Sequence, residues 1–554
     1  MAEHLKATDT EAAEVDVLVL GGGMAGHRAA LAAARAGSSV GHAFLARGAS
    51  SYMICANVPL GCVDPRDSTE IYAEDMVKGG YGINDRRLVG AMASNAIASF
   101  EDLVALGVPF VREGNGYAQR LLAGNSFPRG VYTSTGGMGP VIMDRLSKAG
   151  AEHGIRAWSG SYVIGLLCKD GAVVGALLAD YRKGTLLAVH AKTVVLAMGG
   201  IGRLYEASTY PADVSSDSYA IALEAGATLI DMEFVQFEPT VTVFPEGARG
   251  MEMPTAMLGD GARLLNASGE RFMFRYNPQH GERLIEKAKM SFCIQQEIDE
   301  GRGLPDGTVY FDTTTVPVDR LESYVSHCKR LRNSGLEPTT EMPRVRPAAH
   351  SQMGGVSIDA SGFTGIPGLF ACGETSGGVH GASRMAGNSG AETLVMGWVV
   401  GRAAAAAARD TVRPAQAASS LEPLLDDLFR KRSGDEQAMS IRKEAGEIMV
   451  EKAGLYRDEQ KLTDGLRQIE ALQQRASELP NETFRQAIDG RTTRNMLRVA
   501  GIILQSALLR TESRGAHRRI DFPSRDDARW LKHVAFRLPR GLAAAASPEL
   551  TEIR

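Results

Sequence analysis

The 554-residue sequence lacks several features that mark common protein classes. Its six cysteines form no CxxC pair, which argues against iron–sulfur and zinc sites and fits a reducing compartment. No apolar run reaches the roughly 20 residues that span a bilayer. The N-terminus, MAEHLKATDTEAAE, has no apolar signal-peptide core. We therefore expect a cytoplasmic protein with no metal site and no transmembrane segment, which begins with a disordered lead-in at residues 1–14.

An excess of positive charge is missing as well. The 61 Lys and Arg residues are outnumbered by 65 Asp and Glu residues, which gives a net charge of −4. Nucleic-acid-binding proteins are usually strongly basic, so we expect no nucleic-acid partner. The length exceeds that of one hydrophobic core and predicts two or three domains.

Glycine, in contrast, is abundant, and its first cluster has a clear setting. The apolar run VDVLVL at residues 15–20 is followed by GGGMAG and then by the alanine-rich segment HRAALAAARAG. This order predicts a strand, a glycine turn and a helix, with Gly21, Gly23 and Gly26 in a GxGxxG pattern. Such a turn brings backbone amides and a helix N-terminus close to a pyrophosphate. The pattern therefore predicts a dinucleotide site.

The end of the second predicted strand does not carry the acid that usually binds ribose in NAD sites. Arg47 stands there, which weakens NAD binding and leaves FAD open. Two later strands also run into glycine, in TVVLAMGG with Gly199 and Gly200, and in FACGETSGG with Glu374. An acid at the end of the last strand suits a hydroxyl-rich chain such as a ribityl group.

Changes in sequence texture suggest the domain boundaries. Residues 236–349 are richer in proline, methionine and charge, which indicates a domain inserted into a nucleotide-binding domain at 15–235 and 350–414. From residue 415 to residue 554, apolar residues recur at spacings of three and four, which predicts a helical C-terminal domain.

Several segments in this order identify a family resemblance. VLVLGGGMAGHRAALAAARAG, AMGGIGRLY, FVQFEPT, NASGERFMFRY, HSQMGGV, FACGETSGGVHGASRMAGNS and LLRTESRGAH resemble the flavoprotein subunit of succinate dehydrogenase and fumarate reductase, and equally L-aspartate oxidase, over about residues 15–535. The resemblance implies an α/β fold with a Rossmann-like FAD-binding domain, an inserted α+β capping domain and the C-terminal helical domain. It also implies hydride transfer between flavin N5 and a carbon next to a carboxylate. The stretch RGASSYMICANVPLG contains no histidine, so we expect non-covalent FAD, as in aspartate oxidase.

The resemblance assigns roles to individual residues. Arg384 and His350 match family residues that bind a substrate carboxylate, and a guanidinium fork suits that task. Lys287 stands at the family's proton-donating arginine, with Lys289 nearby, and a lysine can donate a proton when burial lowers its pKa. The alternative for Lys287 is a solvated surface lysine. His380 is either close to the flavin or a satisfied core histidine.

The expected FAD contacts come from the glycine turns, from the ends of strands and from the start of a late helix. They are Gly21, Gly23, Met24, Ala25, Gly26, Arg47, Ser51, Gly199, Gly200, Asp217, Glu374, Arg384, Asn388 and Ser389.

The largest departure from the family is Glu238, which replaces the histidine of FVQFHPT. A glutamate there would repel a second substrate carboxylate at a cost of several kcal/mol, as an order of magnitude. It would accept a cationic group, so we favour a nitrogen-containing carboxylate substrate, with Glu238 as a fourth catalytic residue. The alternatives are an ion pair of Glu238 with Arg249, Arg263 or Lys287, or protonation by burial.

A second departure concerns a Thr-Glu pair of the family. Our alignment places Pro254 and Thr255 at this pair, so both usual side chains are expected to be lost. Asp260 or Asp217 could have taken over a lost role.

We therefore expect an FAD-dependent oxidoreductase that passes hydride between a small carboxylate and flavin N5. The alternatives are a fumarate-reductase-like reductase of an unsaturated acid, with Lys287 as proton donor, the flavoprotein subunit of a complex with an iron–sulfur partner, and a flavin-binding module without catalysis. Oxygen, a quinone or a redox partner protein could accept the electrons, and the protein could form a homo-oligomer.

Overall fold

The computed structural model describes residues 10–134, 137–283, 285–412, 418–432, 434–538 and 547–553. The strands are β1 (Thr10–Leu20), β2 (Val40–Phe44), β3 (Ala56–Asn57), β4 (Arg112–Glu113), β5 (Gly116–Tyr117), β6 (Gly130–Val131), β7 (Arg156–Ser159), β8 (Ser161–Lys169), β9 (Ala172–Asp180), β10 (Thr185–Leu196), β11 (Leu229–Ile230), β12 (Val235–Phe244), β13 (Arg263–Leu265), β14 (Val309–Asp312), β15 (Arg344–Gln352), β16 (Gly355–Val356), β17 (Leu369–Ala371), β18 (Lys532–Arg537) and β19 (Ser547–Glu552). The helices are α1 (Met24–Arg35), α2 (Thr69–Gly79), α3 (Arg86–Ala105), α4 (Met138–Glu152), α5 (Asp217–Glu224), α6 (Thr255–Gly259), α7 (Met273–Tyr276), α8 (Lys287–Asp299), α9 (Val318–Glu322), α10 (Val325–Asn333), α11 (Asn388–Asp410), α12 (Ala418–Phe429), α13 (Ala438–Lys452), α14 (Glu459–Ser477), α15 (Phe484–Leu509) and α16 (Asp527–Trp530).

The main sheet has the strand order β7-β2-β1-β10-β9-β8, and β17 also pairs with β10. The strands β7, β2, β1, β10 and β17 run parallel, whereas β9 and β8 are antiparallel additions. The parallel strands therefore end at one edge of the sheet, where open α/β sheets bind ligands. All three glycine motifs of the sequence lie at this edge.

Small residues allow two helices to cover the sheet closely. A Cβ on Gly401 of α11 would lie 2.2 Å from the carbonyl oxygen of Ala29 in α1, and a Cβ on Gly397 would lie 2.7 Å from that of Ala25. The alanine-rich segment of α11 thus packs against α1 as well as against β10. This close packing fixes the helix that begins at the first glycine turn.

The inserted segment forms its own layer. Strands β12, β15, β14 and β13 pair in that order, and a separate core that includes Met253, Met257, Leu264 and Phe311 lies under helices α6 to α10. Strands β12 and β15 also connect this layer to the main domain, so the two domains share them. The fold is the expected mixed α/β architecture with a capping domain.

The C-terminal segment is helical from α12 to α15, and a capping box between Thr483 and Gln486 begins α15. Beyond α15 the chain returns to the FAD-binding domain, and β18 and β19 join β11 and β16 in the order β16-β11-β18-β19. These two strands lie within residues 415–554, which were predicted to be helical.

Two further predictions concern the N-terminus and the absence of a transmembrane segment. Residues 10–14 were expected in the disordered lead-in, but they pair with β10 from Thr10 opposite Leu186 onward. Residues 1–9 lie outside the described part of the chain. Within that part, α3 is long and apolar enough to cross a membrane by length and composition, a test that core helices also pass. It packs against α2 and α11.

Candidate active site

A cavity of about 1670 Å³ extends from the first glycine turn to the capping domain. It is far longer than a single small-acid pocket, because residues of the main sheet edge and of helices α8 and α10 line it together. Cavities of 300–1,000 Å³ hold ordinary ligands. This volume therefore has room for a dinucleotide and a small second molecule.

The first glycine turn has no space for side chains. A Cβ on Gly21, whose φ is +122°, would lie 2.0 Å from the carbonyl oxygen of Ala197, and a Cβ on Gly26 would lie 1.9 Å from that of Gly21. Helix α1 begins here with Gly23 as a cap that offers no side-chain acceptor. The turn thus presents a helix N-terminus to the cavity, as pyrophosphate binding requires.

Eight of the expected FAD contacts line the cavity: Gly21, Gly23, Ala25, Gly199, Asp217, Glu374, Arg384 and Ser389. Asp217 also accepts a hydrogen bond from Asn495 at 2.6 Å. Glu374 accepts hydrogen bonds from the Tyr210 hydroxyl and, at 2.8 Å, from the Gln352 amide. Burial raises the pKa of Glu374 to about 7.

The other six expected contacts do not line the cavity. Met24, Gly26, Arg47, Ser51, Gly200 and Asn388 are not among the described residues that line the cavity. Arg47 is exposed. Gly200 makes room for another side chain, since its Cβ would lie 2.5 Å from the Glu374 carboxylate. Asn388 is buried, and its Oδ1 accepts hydrogen bonds from Asn57 and from the Tyr72 hydroxyl, whereas its Nδ2 has no hydrogen-bond partner among the described residues.

A neighbour of Ser51 was missed by the sequence analysis. Ser51 is buried and donates to the Gly48 carbonyl at 2.7 Å, whereas Ser50 lines the cavity. The Ser50 hydroxyl accepts the amide of Met24 at 2.9 Å. Sequence alone could not choose between adjacent serines, because a one-turn 3-10 helix at Ala49–Tyr52 decides which one faces the cavity.

At the far end of the cavity, Arg384 has an incomplete set of partners. Its Nε is buried without a hydrogen-bond partner, and its Nη1 makes a long bond of 3.4 Å to the Met385 carbonyl. Buried guanidinium donors are normally satisfied, and a carboxylate is their strongest acceptor. Arg384 therefore has donor capacity for an anion in the cavity.

Glu238 is fully buried and is not among the described residues that line the cavity. Its Oε2 lies 2.7 Å from Nζ of Lys287, which was one of the three alternative partners. Its Oε1 has no hydrogen-bond partner. Burial, together with the charge of Glu252, raises the pKa of Glu238 to about 7 against the attraction of Lys287. The structure thus gives Glu238 an ion pair in place of the expected direct substrate contact.

Lys287 begins helix α8 and lines the cavity with 18% of its side chain exposed. Burial lowers its pKa, but Glu238 and Glu252 raise it by more, so the net shift is upward. The expected shift toward neutrality is therefore wrong, because two carboxylates surround the ammonium. The alternative that Lys287 is a solvated surface lysine is also wrong. Its neighbour Lys289, in contrast, is exposed.

Glu252 is the acid that the sequence analysis missed. It lies 3.1 Å from Nζ of Lys287, and it lines the cavity. Burial raises its pKa, but the ammonium of Lys287 outweighs this and lowers it to about 2. The acid of this segment was expected to be lost at Pro254 and Thr255. The acid stands instead at position 252, two residues before Pro254.

His350 lies beside this cluster and lines the cavity. Its Nδ1 is 2.9 Å from the Thr209 hydroxyl, and its Nε2 is 3.9 Å from Glu238. Burial lowers the pKa of His350 to about 3, so the ring is neutral. A neutral ring can donate one hydrogen bond to a substrate carboxylate but supplies no positive charge.

Glu238, Glu252 and His350 could together hold a metal ion by distance alone. Lys287 already places an ammonium within 2.7 and 3.1 Å of the two carboxylates. The positive charge that the two acids attract thus comes from the chain itself.

Two other candidates have structural partners. Nε2 of His380 lies 2.8 Å from Glu392, and the ring is buried, which matches the core-histidine alternative. Asp260 accepts a hydrogen bond from the Tyr324 hydroxyl at 2.6 Å. It is not among the described residues of the cavity wall, whereas Asp217 is.

Comparisons with known proteins agree with this arrangement. The profile of the FAD binding domain matches residues 16–389, and that of the fumarate reductase flavoprotein C-terminal region matches residues 442–547. The chain is 35% identical over 535 residues to a fumarate reductase (CoM/CoB) subunit from Methanothermobacter marburgensis, covering 93% of this chain and 96% of that protein. It is 34% identical over 518 residues to the L-aspartate oxidase of Caulobacter vibrioides, covering 92% and 94%.

The fold comparison gives the same result. A variant of the E. coli quinol fumarate reductase chain FrdA superposes with a TM-score of 0.89 at 28% identity, covering 98% of this chain and 97% of that chain. The glycine cradle, the long cavity and the unsatisfied arginine fit an FAD and an acid beside it. The chain therefore belongs to the FAD-dependent oxidoreductase family of succinate dehydrogenase and fumarate reductase flavoproteins and L-aspartate oxidases.

Proposed function

We propose that this oxidoreductase reduces a small unsaturated carboxylic acid, or oxidises the corresponding saturated acid. Bound FAD supplies the hydride donor or acceptor at flavin N5. The observation that carries the proposal is the pairing of two cations in one cavity. Arg384 has unsatisfied donors for a carboxylate, and Lys287 presents an ammonium proton to the same space.

Each chain residue has a distinct task in this proposal. Arg384 binds the substrate carboxylate through its fork, and His350 adds one hydrogen bond. Lys287 donates its proton to the substrate carbon that becomes negative as hydride arrives at the neighbouring carbon. Glu238 and Glu252 keep Lys287 protonated through their negative charges, and Lys287 regains the donated proton from solvent that enters the cavity. In the opposite direction Lys287 must first release its own proton to solvent before its neutral amine can accept the substrate proton, so we expect reduction to be the favoured direction.

A second candidate is oxidation of an amino acid, which the sequence analysis favoured. Glu238 lies behind Lys287, so the support for amino-acid oxidation comes instead from Glu252. The side chain of Glu252 is 34% exposed and can contact a substrate ammonium. The similarity to L-aspartate oxidases is compatible with this candidate.

An anaerobic flavin assay separates the two candidates. The photoreduced enzyme is mixed with fumarate and longer unsaturated acids, and flavin reoxidation is followed at about 450 nm. The oxidised enzyme is mixed with amino acids, and flavin bleaching is followed. We expect reoxidation by at least one unsaturated acid, and loss of this reoxidation in Lys287→Met.

Lys289→Met is the matched control, since Lys289 is exposed on the same helix. It should behave as the wild type. Bleaching by amino acids alone would favour the second candidate. Equal reoxidation of Lys287→Met and the wild type would remove Lys287 from the proton step.

We also propose that FAD is bound without a covalent bond. The stretch of residues 47–61 offers no histidine, and Tyr52 and Ile54 of this stretch line the cavity. Acid precipitation of the purified protein should leave all flavin absorbance in the supernatant. Yellow colour or in-gel fluorescence in the precipitated protein would contradict this.

The physiological electron exchange and the location of the protein follow from the same family assignment. We propose that oxygen, a quinone or a redox partner protein, such as an iron–sulfur subunit, exchanges electrons with the flavin in the cytoplasm. Purification from the native source with and without co-purifying subunits, followed by oxygen-consumption assays, tests this.

A further inference from the structure

A compact group of buried charges follows helix α15. Glu512 lies between two arginines: its Oε1 is 2.7 Å from Nε of Arg514 and 3.1 Å from Nη1 of Arg510. Its Oε2 accepts from Nη2 of Arg514 at 2.9 Å and from the Asp526 amide at 2.9 Å. All three charged side chains have no exposed surface. We call Arg510, Glu512 and Arg514 the C-terminal charge triad.

The segment that follows the triad holds a loop of the cavity wall. The amide of Ala516 donates to the Ala382 carbonyl at 2.9 Å. Gly515, with a φ of +53°, approaches so closely that a Cβ would lie 2.3 Å from the same oxygen. Arg514 itself donates to the Tyr81 carbonyl at 3.0 Å, and the Ala382 amide binds the Gly80 carbonyl at 2.9 Å. Residue 382 is thus held from both sides.

Arg384 lies two residues further along this loop, and its backbone is fixed where its side chain is not. Gln236 on β12 donates to the Arg384 carbonyl at 3.1 Å and to the Ser383 hydroxyl at 3.4 Å. The guanidinium has only the long Met385 contact among the described residues. Without a salt bridge to orient it, the direction of the guanidinium depends on the backbone of the loop.

We propose that Glu512 is a positioning residue for substrate binding, because it orders Arg510 and Arg514 so that the Gly515–Ala516 backbone sets the loop that carries Arg384. The proposal rests on the carboxylate-binding role of Arg384 given above. Arg510 also pairs with Glu233 at 2.5 Å and Arg514 with Asp527 at 2.7 Å, but Glu512 is the carboxylate that joins the two guanidinium groups. Removing its charge takes away this link and weakens the attraction that offsets their mutual repulsion. The segment 514–516 then shifts, and the Arg384 fork loses its angle toward the bound carboxylate.

The test compares Glu512→Gln with Asp521→Asn in the FAD-loaded enzyme. Asp521 is the matched control, since it binds Arg519 with two bonds of 2.7 and 2.6 Å in the same segment. No described contact connects it to residues 380–384. The probe is malonate, which cannot be reduced, and its Kd is read from the change in flavin absorbance. We expect Glu512→Gln to weaken malonate binding about tenfold at unchanged FAD content, and Asp521→Asn to match the wild type.

A second variant and a second readout keep the outcome decisive. Arg514→Lys keeps the charge but loses the fork, and it replaces Glu512→Gln if that protein does not accumulate. The rate at which phenylglyoxal modifies Arg384, measured by peptide mass spectrometry, should also change in either variant. If wild-type protein binds no malonate, the proposed carboxylate site fails, and the Arg384 modification rate still decides the positioning role. The positioning role of Glu512 would be overturned if both variants bound malonate with wild-type affinity and if Arg384 were modified in them at the wild-type rate.

Discussion

Replacing Glu238 with glutamine tests the ion pair that the structure places behind the cavity. The amide keeps the size of the side chain and an oxygen that can accept from Lys287, but it removes one of the two negative charges around the ammonium. Burial lowers the pKa of Lys287, and the carboxylates oppose it. Loss of one carboxylate should therefore lower the pKa of Lys287.

The size of the effect follows from the geometry. Two opposite unit charges about 3 Å apart attract by about 5 kcal/mol at an effective dielectric constant of about 20. One pKa unit corresponds to about 1.4 kcal/mol, so the pair could account for up to about four units. Glu252 remains at 3.1 Å and retains part of the stabilisation. We expect the pKa of Lys287 to fall by about two units.

The assay is the pH profile of flavin reoxidation by an unsaturated acid under anaerobic conditions. In the wild type Lys287 should remain protonated up to about pH 10, because its pKa is raised above the usual value of about 10.4. The variant should lose activity at a pH about two units lower than the wild type does. Glu246→Gln is the control, since Glu246 is an exposed acid of the capping domain that binds Arg249. Identical profiles for Glu238→Gln and the wild type would refute the reasoning.

Three further predictions concern binding and stability. Arg384→Lys should raise KM for the acid about 10- to 100-fold at unchanged FAD content, since charged hydrogen bonds contribute about 1.5–3 kcal/mol; steady-state kinetics measures this. Gly26→Ala should abolish FAD absorbance, because its Cβ would lie 1.9 Å from a carbonyl oxygen of the turn, whereas Gly90→Ala, with no atom within 4 Å, should not. Burial lowers the pKa of His533, but the Asp231 carboxylate raises it by more, so this pair should stabilise the fold below about pH 6.5 and lose that effect as pH rises through the folded-state pKa. Asp231→Asn should flatten this part of the Tm-against-pH curve.

Much of the fold could be predicted because its signals are local. A buried strand, a glycine turn and a small-residue helix follow each other within residues 15–37, and each satisfies the requirement of the next. The positions of β18 and β19 were missed for the opposite reason. On one side β18 pairs with Leu229 and Ile230 in β11, about 300 residues earlier, and no local pattern indicates such a pairing.

The site was harder to predict because it depends on which side chain faces a shared space. The sequence identified Arg384, His350 and Lys287, and all three line the cavity. It did not show that Lys287 lies between two acids, one of them on a neighbouring loop. A pKa depends on these long-range neighbours, so the predicted direction of its shift had the wrong sign.

The two departures at positions 238 and 287 are better understood together. The family resemblance predicts a histidine at 238 and an arginine at 287, and each change taken alone suggests a lost function. In the structure the new acid and the new amine form one buried ion pair of 2.7 Å. A buried carboxylate without a partner is strongly destabilising, so Glu238 depends on the lysine. We therefore propose that the pair is a charged support in place of a substrate-facing histidine, and that Glu252 and Lys287, which both line the cavity, recognise the second end of the substrate.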